Sequence, residues 1–144
     1  MKAKILIVLV IAAGIVYACN KDKYTDNPQL TFKSVNTTTI GQNGVLTFTL
    51  GFTFKKNGLD SLFITRISKT CPGSVVSNLS NFVPKFTGVK NQDGDLEINL
   101  PIGANGINSC QNKIDSSYFK FCLQDVAGKR SDTIISPIIA ILPN

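Results

Sequence analysis

Val45-Leu46-Thr47-Phe48-Thr49-Leu50-Gly51-Phe52-Thr53-Phe54 decides the fold, because Leu46, Phe48, Leu50, Phe52 and Phe54 alternate with residues that are mostly small or hydroxylated. A period of two sends successive side chains to opposite faces of a strand, so one face is large and apolar and the other polar. This is read as the central core strand. Lys55-Lys56-Asn57-Gly58 follows as an Asn-Gly turn, and Leu62 to Ile67 as the next strand. Upstream, Leu30, Phe32 and Val35 predict a short first strand that stops at the turn-prone residues Asn36 to Asn43. Downstream, residues 71 to 93 are irregular: Cys71-Pro72-Gly73 opens a bend, and an edge strand is placed at Phe82 to Phe86, where Pro84 is tolerated only on an edge. Asp93-Gly94 reads as a turn into a strand carrying Leu96, Ile98, Leu100 and Ile102. Tyr118 to Asp125 is the next strand, and Val126-Ala127-Gly128-Lys129 reverses the chain, with Asp125 placed to accept backbone N–H bonds inside that turn. Thr133 to Ile141 is the last strand, and Pro137 puts it on an edge or marks a bulge. Seven short strands with turn signals about every ten residues and no helical period predict an all-β, two-sheet Greek-key sandwich, an up-and-down barrel being the second architecture.

Composition removes several function classes. Histidine is absent, which excludes Ser-His-Asp and Cys-His catalysis and His-ligated zinc. Without histidine a serine nucleophile would need lysine as its base, and Ser34, Ser68 and Ser116 lie near lysines in sequence, but no serine is marked as a nucleophile and no pair of carboxylates stands out for glycoside hydrolysis. The chain therefore reads as non-enzymatic and carries no cofactor motif. Tryptophan is absent as well, which weakens a dedicated sugar-stacking surface. The basic residues are scattered, with adjacent pairs only at Lys55-Lys56 and Lys129-Arg130 beside turns, so no nucleic-acid stripe is present.

The N-terminus supplies an address. In MKAKILIVLVIAAGIVYAC, Lys2 and Lys4 precede a 14-residue apolar run from Ile5 to Ala18, shorter than the roughly 20 residues a membrane-crossing helix needs. It reads as an export signal over residues 1–18. Val16-Tyr17-Ala18-Cys19 resembles the lipobox of bacterial lipoproteins, with Val16 in the place usually held by Leu, which implies cleavage before Cys19 and a lipid on its thiol. Residues 19–28 then form the lipidated cysteine and a polar, flexible tether, and residues 29–144 the folded domain. The Lys21-Asp22 pair resembles a weakened form of the signal that sends some lipoproteins to the cell surface, so the expected location is the outer membrane, at the surface or the periplasmic face. Four cysteines in total leave Cys71, Cys110 and Cys122 beyond the lipid site, and three thiols in an oxidising compartment give one disulfide and one free thiol.

Asp125-Val126-Ala127-Gly128-Lys129-Arg130-Ser131, together with Pro28-Gln29-Leu30-Thr31-Phe32 and the Phe-rich second strand, resembles the small Ig-like lipoproteins of Bacteroidota. Two departures stand out: Lys129 replaces the usual Asn, and the acidic loop often found after the second strand is here Lys55-Lys56-Asn57-Gly58-Leu59-Asp60. The resemblance implies an Ig-like sandwich on a lipid anchor and little about activity, since most such proteins have none assigned. In an Ig-like sandwich the third strand runs antiparallel beside the sixth, which would bring Cys71 and Cys110 to one edge and leave Cys122 reduced. Pairing of Cys110 with Cys122 stays open as the alternative.

Three sharper readings remain. Asp93-Gly94-Asp95 has the spacing that starts a calcium loop, but two carboxylates fall short of the roughly six to eight oxygens the ion takes, and a solvated turn is the simpler reading. Asp60-Ser61-Leu62 and Asp132-Thr133-Ile134 match a three-residue acceptor resembling that of Bacteroidota O-glycosylation, at Ser61 and Thr133. An exposed apolar patch around Phe82, Val83 and Phe86 would mark a subunit of a larger envelope complex. The sequence thus predicts an exported, lipid-anchored module that binds or displays an unknown protein or glycan, the rivals being a calcium-dependent adhesion module, a subunit of an uptake or secretion complex and, last, a hydrolase.

Overall fold

The computed structural model describes residues 23–55, 58–71, 78–82, 90–103, 107, 110 and 112–143. These residues form nine strands and no helix: β1 (Gln29–Val35), β2 (Thr39–Ile40), β3 (Val45–Phe54), β4 (Leu59–Ser68), β5 (Asn78–Phe82), β6 (Gln92–Pro101), β7 (Asp115–Asp125), β8 (Ile134–Ile135) and β9 (Ile139–Ile141). One sheet has the order β1-β3-β6 and the other β2-β9-β7-β4-β5, with β8 also on β7. All pairings are antiparallel except β2 with β9, where Thr39 and Ile40 run parallel to Ala140 and Ile141.

The alternation in β3 does what its sequence demands. Leu46, Phe48, Leu50, Phe52 and Phe54 are buried, and they meet Leu62 and Ile64 of β4 and Phe119, Phe121 and Leu123 of β7 in one core. Phe48 joins the sheets directly, its ring centroid 5.0 Å from that of Phe119 and 5.2 Å from that of Phe121, the latter edge-on as the aromatic quadrupole favours. The architecture is therefore an all-β sandwich of two sheets packed face to face.

Several elements differ from the sequence expectation. Asp93-Gly94 is no turn. Pairing with the ten residues of β3 draws the whole stretch from Gln92 into β6, with Thr53 opposite Asp93, Phe52 opposite Gly94 and Gly51 opposite Asp95. Glycine is placed at 94 to receive a ring: a Cβ there would stand 3.2 Å from Cε1 of Phe52. The bend falls earlier, at Asn91, which adopts φ 59°. The expected turn over Asn36 to Asn43 contains β2, and the expected strand Thr133 to Ile141 breaks into β8 and β9 around Ser136-Pro137. Proline cannot donate to the ladder, and serines complete the pairing on β7 instead. Ser136 gives its N–H to Phe119 O and takes the Phe119 N–H on Oγ, and Ser131 does the same with Leu123. The edge strand β5 is Asn78–Phe82, earlier than Phe82 to Phe86; Pro84, Val83 and Phe86 lie outside the described residues.

The Asp125 turn is as expected. Its Oδ1 accepts the N–H groups of Ala127 at 2.9 Å and Lys129 at 2.7 Å, and Gly128 takes φ 81°. The N-terminal segment is a correction. Residues 23–28 do not leave the domain as a free tether: Pro28 is buried, Thr25 O accepts the Lys55 N–H at 3.2 Å, and Lys23 and Tyr24 bond to β6. Cys19 and the signal stretch 1–18 lie outside the described residues.

Candidate functional site

The outer face of β1-β3-β6 carries a shallow groove of about 400 Å³ between Lys23, Gln29, Thr31, Lys33, Thr53 and the pair Asp93 and Asp95. Strand alternation builds it. Asp93, Asp95, Glu97 and Asn99 all point outward from β6, opposite the outward threonines and Gly51 of β3. On β1, at a register shift between Phe32 and Ser34, the same alternation that exposes Thr31 also turns Lys33 outward. Its side chain then crosses β3 and reaches Asp95 Oδ1 at 2.5 Å. Gly51 makes that crossing possible, since a Cβ there would lie 2.9 Å from Lys33 Cε and 2.7 Å from Thr31 Oγ1. A strand-interior glycine costs about 0.5–1 kcal/mol against alanine, and here it clears the floor of the groove.

Asp93 is held from the other side. Lys23 Nζ donates to Oδ2 at 2.8 Å and the Tyr24 hydroxyl to Oδ1 at 2.9 Å, with the ammonium 5.1 Å from the Tyr24 ring centroid. The Lys23 bond first, and the Tyr24 bond after it, hold the Asp93 carboxyl below its ordinary value of 3.8; the same contact with Asp93 raises Lys23 above 10.5. A carboxylate depressed on docking contributes attachment that is present above its free value and lost as pH falls through the depressed one, whereas a lysine raised on docking contributes up to its free value and is lost above it. Docking of Lys23 and Tyr24 is therefore expected to be constant between about pH 5 and 9 and to weaken below 3.8 and above 10.5. Tyr24 ring resonances followed by NMR from acid to neutral pH check this: a midpoint at or above 3.8 would contradict it.

Asp93 and Asp95 are weak calcium candidates in the sequence, and the structure places them side by side on one face of β6. They lie in a strand rather than a loop, and each carboxylate is ion-paired with a lysine ammonium. Among the described residues no group of three or more Asp, Glu, Cys or His could hold a metal. Of the two proposed acceptors, Thr133 is exposed just before β8, while Ser61 is half-buried in β4, strand-paired on both sides, and bonds through its hydroxyl to Asp60 Oδ2 at 2.8 Å. A second, polar cleft of about 510 Å³ lies between residues 25–30 and Arg130 and Asp132.

One charged cluster is internal. Arg66 is 1 % exposed and Asp115 0 %, and the Arg66 Nη2 group bonds to Asp115 Oδ2 inside the sandwich. Arg66 Nε donates to Ser117 Oγ at 2.9 Å, Ser117 Oγ to Asp115 Oδ2 at 3.1 Å, and Ser68 Oγ to Asp115 Oδ1 at 2.5 Å. Ser68 Oγ in turn accepts the Cys71 N–H at 2.9 Å, and Cys71 is disulfide-bonded to Cys110 with the Cα atoms 6.4 Å apart. The bridge closes the end of the sandwich where β4 leaves and β7 begins, as the antiparallel pairing of Ser68 with Ser117 requires. Among the described residues Cys122 is the free thiol, half-buried on the outer face of β7 opposite Phe63, its Sγ 3.5 Å from Ser131 O. The cluster spends the Ser68 hydroxyl, so that serine is not available as a nucleophile.

Sequence reasoning missed Lys23, Tyr24, Lys33, Arg66 and Asp115. Arg66 carried a signal, since it continues the inward series Leu62, Ile64 at period two, and Asp115 and Ser117 continue Phe119, Phe121 and Leu123 in the same way.

Comparison with known proteins adds little. No protein family matches the chain, and no curated protein matches it. Among solved structures, the sporulation control protein Spo0M from Bacillus subtilis superposes with a TM-score of 0.44 at 6 % identity, over 83 % of this chain and 51 % of that one. The chain thus spans about half the length of that protein.

Proposed function

We propose that this chain is a lipid-anchored, non-enzymatic module of the bacterial cell envelope, attached through Cys19 and built as an Ig-like Greek-key sandwich that binds or displays at the outer membrane. The observation that carries the reading is the Cys71–Cys110 disulfide, because such bridges persist in oxidising compartments, which is where the lysine-led apolar stretch ending at Ala18 would send the chain. The strand order supports the Ig-like description: β1-β3-β6 faces β9-β7-β4, the chain passes between sheets after β1, β2, β3, β5 and β6, and the last long strand, β7, sits beside β4. The groove at Lys33, Gly51 and Asp95 supports binding over conversion, since it offers paired donors and acceptors on a rigid sheet.

Acyl chains contribute about 0.8 kcal/mol per buried CH₂, so a multiply acylated cysteine anchors a protein without a helix. Cys19→Ser is expected to abolish fatty-acid labelling and release the protein from the membrane fraction. Wild-type protein without label, or a variant that still fractionates with membrane, would overturn the anchor.

A further inference from the structure

We propose that residues 23–28 are a docked strap that carries the anchored N-terminus across the sandwich, turning the outer face of β1-β3-β6 toward the membrane and the β2-β9-β7-β4-β5 sheet away from it. The docking stands on the structure alone, and the orientation rests on the anchor at Cys19. Undocked, the chain would leave the domain at Gln29, on β1. Docked, it passes the end of β3, where Thr25 O accepts the Lys55 N–H, and reaches β6, where Lys23 and Tyr24 close on Asp93. That strand is two places over, so the point of departure shifts by about 10 Å. It also shifts onto the outer face, because Asp93 points away from the core.

Only four peptide steps separate Cys19 from Lys23. Even fully extended they span about 14 Å, so a lipid on Cys19 holds the Lys23 end of the groove within that distance of the headgroups. The far sheet, carrying Lys120 and Cys122 on its outer side, then faces away from the membrane. Asp93 receives the side-chain bonds of Lys23 and Tyr24, and the Lys23 and Asp93 side chains are 61 % and 46 % exposed. Such an exposed contact is loose enough to open.

Two variants on the same face separate docking from general damage: Asp93→Ala removes the Lys23 and Tyr24 bonds, while Asp95→Ala removes the Lys33 pair and leaves those bonds in place. In the full chain, the Lys55 amide is expected to exchange about tenfold faster with Asp93→Ala and at the wild-type rate with Asp95→Ala. Equal Lys55 exchange in wild type and Asp93→Ala would overturn the strap. For orientation, an amine-reactive reagent is applied to the protein in phospholipid vesicles and to unlipidated Cys19→Ser protein, and labelling of Lys33 is divided by that of Lys113 at the opposite end. The ratio is expected to fall about threefold in vesicles and to recover with Asp93→Ala. An unchanged ratio overturns the orientation while leaving the strap to the Lys55 result, and absence of acylation overturns the anchor and the orientation with it.

Discussion

Asp115→Ala is expected to be the most destabilising single substitution of a polar residue, costing about 3–5 kcal/mol, because it takes the carboxylate away from the Arg66 guanidinium where water does not reach. The two side chains are almost fully buried, and the carboxylate satisfies Arg66, Ser117 and Ser68 together. Arginine cannot discard its proton, so the loss of the carboxylate leaves a charge with no route to neutrality. Arg66→Met is expected to cost less. Asp115 would keep the Ser68 and Ser117 hydroxyls as donors. The double variant Arg66→Met, Asp115→Leu is expected to recover most of the loss, since replacing a buried pair with well-packed apolar groups is often neutral or stabilising. Urea denaturation midpoints of the three variants give the order directly. A cost below about 1 kcal/mol for Asp115→Ala would mean that the pair is hydrated or replaceable, and the account of this end of the core would be wrong.

What the sequence disclosed follows from the range of the interactions involved. The ten residues from Val45 to Phe54 settle both their own conformation and the side they bury, because strand periodicity is local and burial of five large side chains outweighs everything nearby. The turn at Asp125 is also local, and Asp125-x-x-Gly128 encodes it in side-chain acceptors and a left-handed glycine. Asp93-Gly94 was misleading for the same reason: its local preference is for a turn, yet a partner strand about forty residues away overrides it, and Gly94 serves the ring of Phe52. The groove was beyond reach. Lys23 and Asp93 are 70 residues apart and Lys33 and Asp95 are 62, and no spacing within a chain announces that two lysines and two carboxylates will share a sheet face. Arg66 is the intermediate case, since its place among inward residues is periodic but its partner is 49 residues on.

Loss of the Cys71–Cys110 bridge is expected to cost about 4 kcal/mol, as great as breaking the ion pair and by a different route. The two cysteines are 39 residues apart, and a cross-link over that interval removes the freedom of the intervening unfolded chain, which in the loop-entropy treatment amounts to that figure. The bridge has a second duty. The Cys71 N–H is given to Ser68 Oγ, and Ser68 gives its own proton to Asp115, so the covalent link fixes the last donor in the chain that satisfies the buried carboxylate. Reduction should therefore couple to the ion pair: the cost of removing the disulfide in the Arg66→Met, Asp115→Leu background is expected to be smaller than in wild type, because nothing buried and charged is left for it to cover. A double-mutant cycle with Cys71→Ala, Cys110→Ala measures that coupling, and strict additivity would confine the bridge to an effect on the unfolded chain. Peptide mapping without reductant supplies the remaining check. Cys122 projects from the other side of β7, opposite Phe63, so a linked peptide containing it would contradict the pairing of β4 with β7 on which both arguments stand.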